Sequence, residues 1–217
     1  VLEKTIYDDP HFREQLVDAA RSLKVGSAWK FSNKIGALIK PPAGDLKKGM
    51  DSLESGEEWV LRPEMVDNNP YIWSPCIKYG VQPGSYTHMT EFFGPVLGVM
   101  RAHDLDHAIS LVNQTGYGLT SGLESLDKRE QVRWKERIFA GNLYINRGTT
   151  GAIVLRQPFG GMGKSALGPG LKAGSFDYVS QFMKWSEKDY PGIGVIEQDH
   201  KLLQLAREWR LLIQWNK

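Results

Sequence analysis

The sequence has little of what would place it in several large classes of protein. It has one cysteine, Cys76. A single thiol cannot form an internal disulfide, and it is typical of a reducing compartment such as the cytoplasm or, in a eukaryote, the mitochondrial matrix. The net charge at pH 7 is only +2, which is not the charge of a nucleic-acid-binding surface or a polybasic membrane patch. No apolar run approaches the roughly 18 residues of a membrane span, and the start shows no signal-peptide pattern. We expect no nucleic-acid partner and no membrane span.

The apolar content is nevertheless sufficient for a packed core. Hydrophobic residues make up 41% of the 217 residues and charged residues 24%, which excludes extensive disorder. The length fits one large domain, or one domain with an appendage. The chain begins with Val1 rather than Met, as expected either of a trimmed chain or of a piece of a longer protein.

Helix signals occur early in the chain. Asp8 or Asp9 is placed to cap a helix that has Pro10 in its first turn. The apolar residues that share one face of this helix are Phe12, Leu16, Ala20 and Leu23. A weaker helix follows and is predicted to end at Gly56. Its predicted inward residues are Leu46, Met50 and Leu53.

The middle of the chain alternates between strands and helices. Strands are predicted over 96–100, 119–123 and 143–146, with helices starting at Asp104 and Asp127 between them. The predicted inward residues of the two helices are Leu105, Ile109, Val112, Val132 and Ile138. This order predicts an α/β fold with a parallel sheet and right-handed crossovers. Active sites of such sheets lie beyond the carboxyl ends of the strands.

Three segments follow the last of these strands. A long glycine-rich loop begins at residue 147, and such loops are usually functional or mobile. "FDYVSQFMKW" then predicts an edge strand that could pair with another chain. Residues 197–215 predict an amphipathic helix, packed either on its own domain or on a partner domain.

Two tempting motifs are weak. "GMGKSA" has Pro158 where a phosphate-binding loop of the Walker type needs glycine, and no strand directly precedes it as a dinucleotide fingerprint requires. A structural turn is the better interpretation. Cys76 lies in a predicted strand without a histidine near it in sequence, so a buried free thiol is favoured over a nucleophile. The five histidines lack metal-ligand spacing, and His88 is interpreted as a solvated loop residue.

The stretch "TEFFGPVLGVMR" carries the first candidate site. Glu91 precedes a strand, where its carboxylate could accept two hydrogen bonds from vicinal hydroxyls. Phe93 would present an aromatic ring on the same side, which suits a ribose that carries a flat ring. A solvated Glu91 and a packed Phe93 remain the alternative. Phe159 lies in the glycine-flanked loop, where it could form either the rim of a pocket or ordinary packing.

These motifs resemble the NAD(P)-dependent aldehyde dehydrogenase superfamily. "EFFGPVLGV", "AGNLYINR" and "QPFGGMGKSALG" match that family's motifs in order and spacing, and the similarity runs from Val1 to roughly Trp185. "TTGAIVLRQPFGG" and "GPGLKAGSFDYVSQF" resemble more narrowly the L-glutamate γ-semialdehyde (Δ1-pyrroline-5-carboxylate) dehydrogenases, especially the module of bifunctional proline utilization A proteins. The resemblance implies three αβα layers with a mostly parallel sheet, as in the catalytic-domain half of the family's fold.

The resemblance also implies roles for particular residues. Glu91 would hold the nicotinamide ribose and Phe93 would contact that ribose and the nicotinamide, so NAD is the expected cofactor. Gly151 and Ala152 would offer backbone N–H groups to the substrate carboxylate, and Phe159 would pack on the aliphatic part of the aldehyde. No metal is expected. Residues 1–177 would form a partial catalytic domain, and 178–217 an oligomerisation-type edge strand with a helical extension, so a homo-oligomer is expected.

One departure from the family pattern limits these expectations. The family's nucleophilic cysteine lies in a G-Q-x-C segment, and a strand like "VLE" at residues 1–3 comes shortly after it. Cys76 does not occupy that position, so the nucleophile is expected upstream of Val1, in an N-terminal remainder of the enzyme. The isolated chain is predicted to be inactive, because covalent catalysis needs the thiolate. The alternatives are a non-catalytic assembly or regulatory module and a dehydrogenase for another carboxylate-bearing semialdehyde.

Overall fold

The computed structural model describes residues 1–168, 170–186 and Gln204. The chain divides into two compact units, Val1–Tyr178 and Val179–Lys217. The helix predicted over 197–215 lies outside the described residues except for Gln204. The assignment of 1–177 to a partial catalytic domain and of 178–217 to an extension stays a prediction.

The first unit alternates short strands with helices. Its helices are α1 (Lys4–Tyr7), α2 (Pro10–Ser22), α3 (Gly44–Asp51), α4 (Tyr86–Met89), α5 (Leu105–Gln114) and α6 (Lys128–Arg137). Its strands are β1 (Leu2–Glu3), β2 (Glu58–Leu61), β3 (Cys76–Tyr79), β4 (Val96–Gly98), β5 (Arg101–Ala102), β6 (Tyr117–Gly118), β7 (Thr120–Leu123), β8 (Asn142–Ile145) and β9 (Met162–Gly163).

Parallel pairing predominates among the described strands, which confirms the α/β fold class. β1 pairs with β5, β3 with β4, and β7 with β8 in parallel, whereas β2–β3 and β6–β9 are antiparallel. The crossover predicted between the last two strands is present, since α6 connects β7 to β8. The apolar run predicted as one strand over 96–100 is instead split between two pairings, because β4 joins β3 and β5 joins β1.

Aspartates determine where three of the helices begin. The side chain of Asp9 accepts a hydrogen bond from the backbone N–H of His11, and Asp104 and Asp127 cap α5 and α6 in the same way. Each cap satisfies a backbone N–H that the first turn of a helix leaves without a partner. The sequence therefore predicted these three starts correctly.

Two predicted inward faces were partly wrong. α3 ends at Asp51 rather than at Gly56, and Leu53, beyond its end, is exposed. On α6, Val132 is half-exposed, whereas Trp134 is buried against Ile109 of α5. Trp134 takes the inward position because α6 packs on α5 as well as on the β7–β8 pair. Trp134 lies on the face of α6 that contacts both, whereas Val132 lies outside that face.

The strand β3 runs through the core, and all four of its residues are buried. Ile77 and Tyr79 pack with Val99 against residues of α2 on one face. Lys78 points to the opposite face and reaches α4 at Thr87. Alternating side chains of one strand thus contact helices on both faces, which is the three-layer arrangement.

The prediction of an edge strand over Tyr178–Trp185 is corrected by the structure. Tyr178–Phe182 form a short 3₁₀ helix instead. The alternating apolar pattern "YVSQF" is compatible with either state, and an edge strand needs a neighbouring strand to supply its backbone hydrogen bonds.

Candidate cofactor and substrate site

The loop that precedes β4 is anchored by Phe92, which packs against helices α3 and α4. The ring of Phe92 lies so close to Gly49 of α3 that a Cβ atom there would be 2.8 Å from it. The same ring lies 5.8 Å from the ring of Tyr86 in α4, measured between centroids. Gly94 leaves room in the same way for the side chain of Leu46. The loop is therefore held between α3 and α4.

Glu91 and Phe93 flank Phe92 and point to solvent. Phe93 is 83% exposed, and its backbone φ of 51° is a left-handed conformation that residues with bulky side chains rarely adopt. Glu91 is exposed, and its carboxylate makes no hydrogen bond or ion pair with any described residue. An available carboxylate two residues before an exposed aromatic ring has the chemistry to bind a ribose carrying a flat ring, so the residues present suit NAD.

Helix α4, which leads into this loop, is held through four side chains. Ser85 caps it, and Glu54 accepts a hydrogen bond from the backbone N–H of Tyr86 at 2.6 Å. The Tyr86 hydroxyl donates to Asp45 at 2.7 Å, which raises the pKa of the phenol to about 12.

His88, the fourth of these side chains, was predicted to be a solvated loop residue, and that prediction was wrong. Its Nδ1 accepts from the Gly84 N–H, and its Nε2 lies 2.9 Å from the Leu111 carbonyl, so it ties α4 to α5.

A buried ion pair behind this helix was not predicted from the sequence. Lys78 Nζ lies 3.5 Å from Glu57 Oε2, and both side chains are almost completely inaccessible to solvent. The available signal was one lysine within the otherwise apolar or aromatic strand "CIKY". A charged residue in a buried strand requires a partner, but the sequence does not say which one.

The second loop leaves the carboxyl end of β8. Its first residue, Asn146, has a φ of 53° and exchanges two side-chain hydrogen bonds with the backbone of Ser125, each 2.9 Å long. Gly151 has a φ of 87°, and both it and Ala152 are exposed. A carboxyl-end position on a parallel strand, with small residues, permits a ligand to approach the backbone closely.

Phe159 ends this loop in a fixed backbone position. Its N–H donates to the Ala173 carbonyl at 2.8 Å and its carbonyl accepts from the Ala173 N–H at 3.1 Å. Its side chain is half-buried, and whether it contacts substrate stays a prediction. None of the contacts found among the described residues joins this loop to Glu91 or Phe93, so the two candidate regions are described separately.

The "GMGKSA" stretch is a structural turn, as predicted. Met162 and Gly163 form β9 against β6, and a side chain at Gly163 would approach the Gly116 carbonyl to 2.5 Å. Lys164 donates to the Thr115 carbonyl at 2.8 Å and lies over the ring of Tyr117, so its ammonium is already used.

Cys76 is buried, as predicted. The thiol is inaccessible, and burial raises its pKa to about 12 against the weaker opposing effect of Lys78. A thiol in this state is not a nucleophile at neutral pH. Within the described part of the chain no group of His, Cys, Asp and Glu could hold a metal ion, and no helix there is both long and apolar enough to cross a membrane.

Comparison with known proteins decides the family. Residues 1–187 match the aldehyde dehydrogenase family. The chain belongs to this family. Among curated members, the 1-pyrroline-5-carboxylate dehydrogenases of Geobacillus sp. (strain WCH70) and Bacillus subtilis (strain 168) are each 34% identical to it over 187 residues, which are 85% of this chain and 35% of the relative.

Solved structures of aldehyde dehydrogenases agree with the fold. Proline utilization A from Corynebacterium freiburgense is 48% identical, with a TM-score of 0.79 over 86% of this chain and 20% of that one. The 1-pyrroline-5-carboxylate dehydrogenase from Thermus, solved with bound NAD, is 30% identical, with a TM-score of 0.70 over 81% of this chain and 34% of that one. The chain therefore spans about a third of the length of the curated relatives that it matches.

Proposed function

We propose that this chain forms the C-terminal part of an NAD-dependent dehydrogenase that oxidises L-glutamate γ-semialdehyde to L-glutamate in proline catabolism. The observation that carries the proposal is the pair of exposed side chains in the family's "EFFGPV" motif, the available carboxylate of Glu91 and, two residues on, the aromatic ring of Phe93. The names and bound NAD of the relatives support the same substrate and cofactor.

Glu91 and Phe93 would act on the cofactor. The two carboxylate oxygens of Glu91 would accept hydrogen bonds from the two hydroxyls of the nicotinamide ribose, and the ring of Phe93 would limit where the ribose and nicotinamide can lie. The bound cofactor would supply the hydride acceptor. The nucleophilic cysteine belongs to the N-terminal remainder, which is the partner that completes the site.

The loop after β8 would bind the other end of the substrate. The N–H groups of Gly151 and Ala152 donate to the α-carboxylate, and Phe159 packs on the aliphatic carbons between carboxylate and aldehyde. This arrangement selects a chain length, because a shorter or longer acid would displace either its carboxylate or its aldehyde.

The first experiment is to purify the native protein from its source cells, map peptides upstream of Val1, and assay NAD reduction with L-glutamate γ-semialdehyde. We expect a much larger polypeptide, with a cysteine shortly before "VLEKTIYDD", that reduces NAD. The isolated 217-residue chain should give no turnover. A native product of only these residues would favour the alternative, a non-catalytic assembly or regulatory module.

A substrate panel on the complete enzyme tests the chain-length selection. L-Glutamate γ-semialdehyde should have the highest kcat/KM, above succinic and other carboxylate-bearing semialdehydes. A higher kcat/KM for one of these would make the enzyme a dehydrogenase for the corresponding semialdehyde.

We also propose a homo-oligomer and a cytoplasmic location. The relatives named above are bacterial, and none of them supports the mitochondrial alternative. Sedimentation of the complete enzyme tests the oligomer.

A further inference from the structure

The buried ammonium of Lys78 is the meeting point of three segments. Lys78 Nζ donates to the carbonyl of Ser52 at 2.8 Å and to the hydroxyl of Thr87 at 3.3 Å, and it pairs with Glu57 at 3.5 Å. It also lies 5.0 Å from the centre of the Trp59 ring. Lys78 itself is only 1% exposed. Hydrogen bonds from a charged donor are stronger than neutral ones, and burial strengthens them further.

The carboxylate of Glu57 extends this cluster toward α4. Its Oε2 accepts a hydrogen bond from the backbone N–H of Glu54 at 3.0 Å, and Glu54 in turn accepts from the backbone N–H of Tyr86. The other carboxylate oxygen of Glu57, Oε1, is buried without a hydrogen-bond partner among the described residues. Such a carboxylate depends on its cationic neighbour, so removing Lys78 alone would leave a buried charge uncompensated.

The two helices that Lys78 joins, α3 and α4, are the ones that hold the loop before β4, which carries Glu91 and Phe93. Ser52 is the C-terminal cap of α3, where a positive charge is favoured by the helix dipole, and Thr87 lies in α4. Phe92 packs on Gly49 of α3 and beside Tyr86 of α4. The separation of α3 and α4 therefore determines where Phe92 lies.

We propose that Lys78 is a positioning residue for cofactor binding: by joining α3 to α4 it sets the position of Phe92, and through it the positions of Glu91 and Phe93. This inference rests on the proposed function, in which Glu91 and Phe93 bind NAD. Lys78 does not touch the cofactor, because it is buried beneath the two helices.

The test uses Lys78→Met in the complete enzyme, since methionine is an unbranched side chain only one atom shorter than lysine and carries no charge. The dissociation constant of NAD, measured by calorimetry, should rise by about tenfold or more, while the KM for the aldehyde changes by less than about twofold. Lys78→Met together with Glu57→Met removes both charges. This double variant should regain the unfolding temperature of the wild type but keep the weak NAD binding, because Ser52 and Thr87 remain unlinked.

Two further variants complete the design. Thr87→Val removes one hydrogen bond and keeps the ion pair, and it should weaken NAD binding about threefold. It also decides the matter if Lys78→Met fails to fold. Arg133→Met, which breaks an exposed pair with Asp106 between α6 and α5, is the control and should leave NAD binding unchanged.

The outcomes separate the two proposals. Unchanged NAD binding in folded Lys78→Met or Thr87→Val overturns the inference, as does a double variant in which NAD affinity returns together with stability. Absence of NAD-linked turnover in the wild type refutes the proposed function and removes the basis of the inference.

Discussion

Phe92 and Phe93 are neighbours in the chain but have opposite environments. Phe92 packs on Gly49 and Tyr86, whereas Phe93, at a φ of 51°, is 83% exposed. The left-handed backbone at Phe93 turns one ring out while the other stays in. One phenylalanine thus supports the loop and the other presents its ring to solvent.

The support can be tested by filling the space at Gly49. In Gly49→Ala the new Cβ would lie 2.8 to 3.0 Å from three atoms of the Phe92 ring, so the ring must move. The overpacking costs about 1–3 kcal/mol, more than the roughly 1 kcal/mol that alanine contributes in a helix. We expect a lower unfolding temperature and a raised dissociation constant for NAD.

Gly36→Ala is the control for this variant. Nothing lies within 4 Å of the Cβ that it would add, and Gly36 is not among the glycines with positive φ. It should change neither quantity. Equal effects of the two variants would contradict the support role of Phe92.

The substrate-binding role proposed for the loop after β8 can be tested at Gly151. Its φ of 87° disfavours any side chain, although nothing lies within 4 Å of a new Cβ. Gly151→Ala should therefore shift the backbone at a cost of about 1–2 kcal/mol and raise the KM for the aldehyde, with NAD affinity unchanged. Gly148→Ala, equally open but without a positive φ, is the matched control. A KM for the aldehyde that stays at the wild-type value in Gly151→Ala would argue against a carboxylate site there.

Cys76 should be chemically silent in the folded protein. Because burial raises its pKa to about 12, the thiolate is scarce at pH 8. Iodoacetamide should label it only after denaturation, as mass spectrometry of the peptide would detect. Cys76→Ala should retain kcat in the complete enzyme. Loss of turnover in a folded Cys76→Ala protein would mean that this thiol has a catalytic role after all.

Stability should depend on pH through Asp127. Hydrogen bonds from Arg129 lower the pKa of its carboxyl from 3.8 to about 2 in the folded protein. A lowered folded-state pKa contributes stability that is present above 3.8 and is lost as the pH falls through about 2. Asp127→Asn keeps a capping acceptor but does not titrate. The difference in unfolding temperature between wild type and Asp127→Asn should shrink across this range, and a constant difference would exclude the linkage.

The sequence predicted most accurately the features that depend only on residues close together in the chain. The caps Asp9, Asp104 and Asp127 bond to N–H groups only two or three residues away, so their patterns are readable locally. The family motifs are also local strings, and the comparisons confirm the aldehyde dehydrogenase family that they indicated. The roles given to Glu91, Phe93, Gly151, Ala152 and Phe159 stay predictions.

The sequence by itself therefore determined the fold class, three helix starts, the buried thiol and the family. Only the tertiary structure decided that Trp134 rather than Val132 faces inward and that Lys78 pairs with Glu57. The physical reason is separation along the chain. Lys78 bonds to a carbonyl 26 residues away, and no local pattern encodes which distant segments the packing of the core brings together.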